Sequence, residues 1–157
     1  MKILGIDPGS RYTGWGVIQV TGHKMQCIAA GRLVLGDRPH AERLVLIYEG
    51  VSDIVSTYQP EVVGVESVFV SKNVQSALKL GQARGAALVA VAKANLEIFE
   101  ISPRLVKKSV TGYGATAKVG VGDMVQRLLG CQMVLSEDAA DALAIAISAS
   151  SMKRSQV

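Results

Sequence analysis

The sequence predicts an α/β fold in which a five-stranded mixed sheet is flanked by helices. Three consecutive strand patterns open the chain, and helical patterns then alternate with two more strands. Strands joined by short turns pair antiparallel and strands joined through a helix pair in parallel, so this order indicates a mixed sheet. The 157 residues contain no linker, repeat or low-complexity tract, and we therefore expect one domain over residues 1–157.

The first three strands are apolar or alternating segments with turn residues between them. Lys2–Asp7 is a short apolar run that stops at a Pro-Gly-Ser turn signal, residues 8–10. Residues 14–20 and 25–35 have the composition of two further strands. We expect these three strands to form a ribbon of hairpins.

Helices and strands alternate through the rest of the chain. Apolar residues recur at helical spacing over His40–Tyr58, and Pro60 ends that helix. Pro103 opens another helix after the fifth strand. The remaining predicted elements are two buried strands, the long helix between them and an alanine-rich final helix, over residues 61–66, 96–101, 73–95 and 136–150.

Composition excludes several classes of protein. With 49% hydrophobic and 19% charged residues, the chain is not of the disordered class. Its longest uncharged stretch, residues 12–23, is too short and too polar to cross a membrane, and the N-terminus turns polar too early for a signal peptide. Cys27 and Cys131 are isolated, which excludes a zinc motif. We expect a soluble, cytoplasmic protein with no membrane partner.

The basic residues are unevenly distributed. The net charge is +4, and residues 1–78 hold seven basic and seven acidic side chains. Residues 79–157 hold ten basic and six acidic side chains, so the whole excess lies in the second half. This asymmetry favours a polyanionic partner, although charge clusters are also common on solvated faces.

Four acidic residues lie at the ends of predicted elements. Asp7 closes the first strand, and Glu66 closes the fourth. Asp138 and Asp141 are three residues apart near the start of the last helix, so both lie on one helical face. Ligands of open sheets bind beyond the strand ends, and oxygen-only ligands select a hard cation such as Mg²⁺ or Mn²⁺.

Each of these acids also has a structural explanation. Asp7 could simply begin the turn that follows it, and Glu66 could be a surface acid after a strand. Asp141 is harder to explain in this way, because it interrupts the apolar run 139–147 and a buried charge needs a partner or a metal. Glu137, one helical turn before Asp141, remains a rival ligand at this point.

The long helix carries a face of small residues. Ala77, Gly81 and Gly85 repeat every four residues, although each glycine costs a helix about 1 kcal/mol. Two explanations remain open. The bare face could pack tightly on the sheet, or it could meet a second copy of the helix across a two-fold axis.

Three segments resemble the RuvC family of bacterial Holliday junction resolvases. They are GIDPGSRYTGWGV at 5–17, VESVFVSKNVQSALKLGQARGAA at 65–87 and DAADALAIAI at 138–147, and the resemblance extends over nearly the whole chain. It implies an RNase H-like fold and a homodimer. It also implies metal-dependent cleavage of two opposed strands in a four-way DNA junction during homologous recombination and repair, leaving 5′-phosphate and 3′-hydroxyl ends.

The resemblance assigns the catalytic and metal-binding acids residue by residue. The essential acids of the family fall on Asp7, Glu66, Asp138 and Asp141. This analogy, unlike the spacing, favours Asp138 over Glu137. The implied cofactor is Mg²⁺, with two ions in each active site and Mn²⁺ as a substitute, which matches the two-metal chemistry of phosphodiester hydrolysis.

The resemblance also implies DNA contacts and protein partners. An aromatic residue three positions after the catalytic glutamate falls on Phe69, and basic residues that contact DNA fall on Lys107 and Lys118. We expect Lys108, the neighbour of Lys107, to bind phosphate as well. By analogy, we expect a branch-migration motor complex of RuvA and RuvB to act with this chain. No residue of the sequence identifies the surface on which that complex docks.

The chain departs from the family pattern near the last of these lysines. Gly120 stands where the family commonly has Gln, and Gly122 follows it. We expect the two glycines to fray the start of the helix there and to loosen the loop before it.

Two other functions deserve comparison. The loop at residues 5–16 is also similar to the phosphate-binding hairpin of actin-like ATPases, but those proteins need a second similar domain that 157 residues cannot supply. An RNA-processing nuclease of the YqgF type shares the RNase H-like fold, but the segment ALKLGQARG argues against it. Retention of all four acids argues against a nucleic-acid binder without activity.

Overall fold

The computed structural model of the chain describes residues 1–67, 72–112 and 120–156. In these ranges the secondary structure follows the predicted order, with two helices between the last strand and the final helix. The elements are β1 (Lys2–Asp7), β2 (Tyr12–Thr21), β3 (Lys24–Val34), α1 (His40–Tyr58), β4 (Val62–Glu66), α2 (Val74–Lys93), β5 (Glu97–Ile101), α3 (Pro103–Thr111), α4 (Val121–Leu129) and α5 (Glu137–Arg154).

The five strands form one mixed sheet in the order β3-β2-β1-β4-β5. The pairs β1–β2 and β2–β3 are antiparallel, and the pairs β1–β4 and β4–β5 are parallel. The predicted fold class is therefore confirmed. The largest difference in bounds is at α5, which continues to Arg154 and is tied to β5 by an ion pair of 2.7 Å between Lys153 Nζ and Glu97 Oε2.

Side chains alternate between two cores, one on each face of the sheet. Along β1, Ile3 packs with the core under α3, α4 and α5, whereas Leu4 and Ile6 pack with the core under α1 and α2. Strand residues point alternately to opposite faces, so the parity of a position assigns its face. By this rule, Asp7 at the end of β1 points to the α5 face.

Glycines let α5 lie unusually close to the sheet. A Cβ atom at Gly5 would overlap the carbonyl oxygen of Ala142, and one at Gly14 would overlap the carbonyl oxygen of Asp138. At Gly64, a Cβ would lie 2.9 Å from the Cβ of Ala149. Only residues without a side chain fit at these positions, and the helix that carries two of the acids is held directly against the strands.

The small-residue face of α2 does not pack on the sheet. The sheet side of α2 is formed by alanines and a valine, namely Ala83, Ala87, Ala90 and Val91. A Cβ atom built at Gly81 or Gly85 would meet nothing within 4 Å in the described chain. The first of the two explanations offered for these glycines is therefore wrong.

None of the described helices combines the length and apolar character that a membrane span requires. The two cysteines are free thiols; Cys131 is buried, and Cys27 on β3 is half-buried.

Candidate active site

Asp7 and Glu66 lie side by side at the carboxyl ends of two neighbouring parallel strands. Ile6 of β1 is in register with Val65 of β4, so each acid is the next residue along its strand. Both acids have the parity of the α5 face, because Ile6 and Val65 belong to the opposite core. The buried strands β1 and β4 thus place two carboxylates next to each other.

The other two predicted acids come from the first turns of α5. Ser136 caps this helix by accepting a hydrogen bond of 3.3 Å from the backbone N–H of Ala139. Asp138 is the second residue of the helix, where the helix dipole favours a negative charge. The close approach at Gly14 brings the Asp138 backbone onto β2, and one turn further along Asp141 lines the same pocket as Asp7 and Glu66.

Three of the four acids line one small pocket. Asp7, Glu66 and Asp141 surround a cavity of about 170 Å³ together with Lys107 of α3. The remaining lining residues are the apolar side chains Pro103, Val106 and Val121. The pocket therefore combines clustered carboxylates, one cation and a wall of low polarity.

Burial and mutual repulsion oppose ionisation of these carboxyl groups. Burial, followed by the charges of Glu66, Asp141 and Asp138, raises the pKa of Asp7 to about 7. The pKa of Glu66 is raised by burial and then by Asp141. The pKa of Asp141 is raised by burial and by the charges of Glu137 and Asp138. A positive charge bound among the acids would remove this repulsion.

Asp138 and its rival Glu137 have different surroundings. Asp138 acts on the pKa of Asp7, whereas Glu137 acts, more strongly than Asp138, on the pKa of Asp141. Glu137 is exposed and lines a neighbouring cavity of about 610 Å³ beside α4, which Asp141 also lines. The effect on Asp7 favours Asp138 as the ligand, and the choice between the two remains a prediction.

The donor set fits a hard divalent cation. All four groups are carboxylates, and oxygen ligands of this kind suit Mg²⁺ or Mn²⁺. Within residues 1–67, 72–112 and 120–156, no three carboxylate, imidazole or thiol groups already stand close enough to hold one metal ion. Three of the four carboxylates instead line the walls of the shared pocket.

Arg32 is a further charged residue at this site, and no pattern in the sequence indicated it. It lies on β3 in register with Gly14, and its Nη1 atom is 3.5 Å from Asp138 Oδ2. Its guanidinium lies over the ring of Tyr12, 4.2 Å from the centroid. No motif contains Arg32. The alternation of side chains along β3 places it on the α5 face, and this face could have been predicted only if the register of β3 had been known.

The structure describes two of the four predicted DNA-contact residues. Lys107 lies at the acidic pocket, and Lys108 is the next residue on the exposed part of α3. Phe69 and Lys118 lie outside the described residues, so their roles remain predictions. At the start of α4, Gly120 is the N-cap position and provides no side-chain cap.

Comparison with known proteins gives a consistent result. A family profile described as crossover junction endodeoxyribonuclease RuvC matches residues 3–149. The proteins of that name from Ectopseudomonas mendocina and Haemophilus ducreyi are 50% and 48% identical over 145 residues, which cover 92% of this chain and 83% and 76% of theirs.

A solved structure agrees with the sequence comparisons. The structure described as T. thermophilus RuvC in complex with Holliday junction substrate matches with a TM-score of 0.91 and 33% identity, over 99% of this chain and 96% of that one. The RNase H-like fold implied by the sequence resemblance is thereby confirmed. Since the profile extends from β1 into α5 and the relatives match nearly the whole chain, the protein belongs to the RuvC family of crossover junction endodeoxyribonucleases.

Proposed function

We propose that this chain resolves four-way DNA junctions by cutting two opposed strands, with Asp7, Glu66, Asp138 and Asp141 as its catalytic and metal-binding residues. The observation that carries the proposal is the convergence of carboxylates from β1, β4 and α5 beside Lys107. The family name supports the substrate, because a crossover junction is a four-way DNA structure. Cleavage leaves a 5′-phosphate and a 3′-hydroxyl.

The cofactor in this proposal is Mg²⁺, two ions in each active site, with Mn²⁺ as a substitute. Bound metal supplies an activated water and stabilises the leaving oxygen in an in-line displacement. Asp7 would hold metal together with Glu66, Asp138 and Asp141, and the effect of all three on its pKa supports this set. The apolar wall formed by Pro103, Val106 and Val121 limits access of water to the carboxylates.

Lys107 holds a backbone phosphate next to the acids, and Lys108 continues the same basic edge of α3. A polyanion needs such cations, because the pocket itself repels phosphate. Contacts of this kind orient the DNA and carry little sequence information. Preference among cleavage sequences then comes partly from the deformability of the junction, whereas Phe69 is predicted to stack on a base at the crossover.

We expect Lys107→Ala to reduce the salt dependence of junction binding. Each phosphate contact contributes roughly −0.9 to the slope of log K against log salt on duplex DNA, so the slope should become shallower by about that amount. The measurement is a binding titration at several salt concentrations in EDTA. Lys153→Ala is the matched control, since Lys153 pairs with Glu97 at the opposite end of α5. Equal slopes for Lys107→Ala and the wild type would exclude this phosphate contact.

The active form in this proposal is a homodimer, because two strands must be cut symmetrically. The helix α2 offers a suitable surface, which we call the glycine stripe: the exposed Val74, Leu78 and Val89 together with Gly81 and Gly85. These positions share one side of α2, opposite the alanines that pack on the sheet. A two-fold copy would bury this apolar surface against itself.

Gly85→Leu should dissociate the dimer. Within the described part of the chain, the Cβ of the new side chain meets no atom within 4 Å, so the monomer should fold normally while the two backbones are held apart. Sedimentation at micromolar concentration gives the oligomeric state. Lys79→Leu introduces the same side chain on α2 away from the glycine stripe and should leave the dimer intact. A dimer that persists in folded Gly85→Leu would move the interface elsewhere.

The test of the overall proposal is a substrate comparison. The purified chain is incubated with Mg²⁺ and a four-way DNA junction, linear duplex DNA, structured RNA or ATP. We expect paired nicks in the junction alone, with loss of cleavage in EDTA and recovery with Mn²⁺. Preferential RNA cleavage would favour the RNA-processing alternative, and ATP hydrolysis the ATPase alternative. A DNA substrate is also consistent with the expected cytoplasmic location. If RuvA and RuvB are partners of this chain, adding them should stimulate junction resolution.

A further inference from the structure

Arg32 lies at the edge of the acidic site in a position that the four carboxylates do not explain. Its side chain is 43% exposed, and that of its partner Asp138 is 30% exposed. Their closest contact, 3.5 Å, is at the outer limit for a hydrogen bond. An exposed pair of this geometry contributes little to folding stability. The contact is therefore weak enough to be exchanged for another anion.

The guanidinium is nevertheless held in place. It lies 4.2 Å from the centroid of the Tyr12 ring, within the range of a cation–π interaction. Stacking on the ring fixes the plane of the guanidinium through its face. The N–H groups lie in that plane and take no part in the stacking contact. Tyr12 and Arg32 come from adjacent strands, and Arg32 is in register with Gly14, the residue on which the Asp138 backbone rests. The two strands thus hold the guanidinium in a fixed orientation at the edge of the acidic site.

From this geometry we infer that Arg32, stacked on Tyr12, binds a backbone phosphate of the DNA strand being cut. This inference rests on the proposed junction-cleaving function and adds a second phosphate contact to it. Arg32 would release Asp138 and take the phosphate, so that the carboxylate becomes available to the metal as DNA enters. The planar fork suits a phosphate, to which arginine can donate two hydrogen bonds.

The strand order gives the side of the cut on which this phosphate lies. Arg32 is on β3, and Asp7 is on β1, two strands away in the sheet. Because the guanidinium already contacts Asp138, the phosphate that it binds should lie close to the cleaved bond, on the β3 side of the acids. Lys107, which follows β5, lies toward the other edge of the sheet.

The first test compares junction binding of the wild type, Arg32→Ala and Arg32→Lys in EDTA, where the DNA stays intact. We expect Arg32→Ala to bind roughly tenfold more weakly, with a salt slope shallower by about 0.9, because one charge-assisted contact is lost. Arg32→Lys should keep the slope and lose part of the affinity. Tyr12→Phe should behave as the wild type, whereas Tyr12→Ala should weaken binding without changing the slope. The control is Arg154→Ala, at the far end of α5.

The second test identifies the phosphate. Neutral methylphosphonate linkages are placed one at a time along the cleaved strand, and binding of each junction is measured. Neutralising one phosphate close to the cut should weaken binding by the wild type and leave binding by Arg32→Ala unaffected. Sensitivity to that linkage in both proteins would overturn the inference.

Two results separate this inference from the proposed function. If Arg32→Ala keeps the wild-type affinity and salt slope while the wild type still binds and cuts junctions, Arg32 serves only as the partner of Asp138 and the inference is wrong. If the wild type itself neither binds nor cuts junctions, the proposed function fails. An altered response of the melting temperature to Mg²⁺ in Arg32→Ala, with DNA binding unchanged, would likewise indicate a role on Asp138 alone.

Discussion

Asp7→Asn should lower the rate of junction cleavage by at least about 10³-fold. The substitution keeps the shape of the side chain and removes a charge that is proposed to hold metal. A loss of several kcal/mol of transition-state stabilisation corresponds to this factor. Junction binding in EDTA should persist or become tighter, because a negative charge near the phosphates has been removed. A single-turnover assay in Mg²⁺ measures the rate.

The control for this variant is Asp53→Asn, which makes the same change at an exposed position of α1 and should cut normally. Glu66→Gln and Asp138→Asn should be as severe as Asp7→Asn, and Asp141→Asn nearly so. Any of these variants that cuts at the wild-type rate loses its place in the proposed ligand set.

Asp7→Asn should also stabilise the fold at neutral and alkaline pH in EDTA. The pKa of Asp7 is about 7 in the folded chain and near 3.8 when unfolded. The folded state therefore binds the proton more tightly, and the wild type loses stability as the pH rises from about 4 to about 7. Above pH 7, Asp7→Asn should melt roughly 5 °C higher than the wild type, a difference that disappears below pH 4.

Added metal should reverse the order of the two melting temperatures, so that the wild type becomes more stable than Asp7→Asn. Added Mg²⁺ binds the folded wild type and raises its melting temperature, as any ligand specific for the native state does. Asp7→Asn should respond much less. A wild type that gains no stability from Mg²⁺ at pH 8 would contradict metal binding at these carboxylates, independently of any cleavage assay.

The sequence was informative where local patterns determine structure. The apolar run of Lys2–Asp7 and the helical spacing of His40–Tyr58 predicted these elements with the bounds that the structure has. Element ends then located Asp7 and Glu66, because parallel strands finish at one edge of a sheet. These inferences need only neighbours along the chain.

Other features depend on neighbours that are distant in sequence. Spacing could not choose between Glu137 and Asp138, because the choice depends on the rotation of α5 against β1 and β2. Arg32 could not be found, since its register with Gly14 across the hairpin was unknown. The role of Gly5 was equally hidden, because a glycine in a strand usually only weakens it.

The largest expected effect on folding comes from Gly5→Ala. A Cβ atom at this position would overlap the carbonyl oxygen of Ala142 and lie 2.7 Å from the backbone nitrogen of Ala146. Both atoms belong to the backbone of α5, so no rotation of a side chain can relieve the overlap. The helix must move away from β1, and we expect a loss of at least about 3 kcal/mol in the free energy of unfolding.

Because α5 carries two of the acids, this displacement should also separate Asp138 and Asp141 from Asp7. Cleavage should therefore fall well below the wild-type rate even at temperatures where Gly5→Ala remains folded, and chemical denaturation together with the cleavage assay measures both effects. Gly122→Ala is the matched control: among the residues that the structure describes, its Cβ would meet only the Cβ of Ala140, at an ordinary 3.7 Å, inside a helix that favours alanine. Equal stability of Gly5→Ala and Gly122→Ala would mean that α5 does not rest on β1 as closely as the structure has it, and the glycine contacts would no longer explain how the acids are brought together.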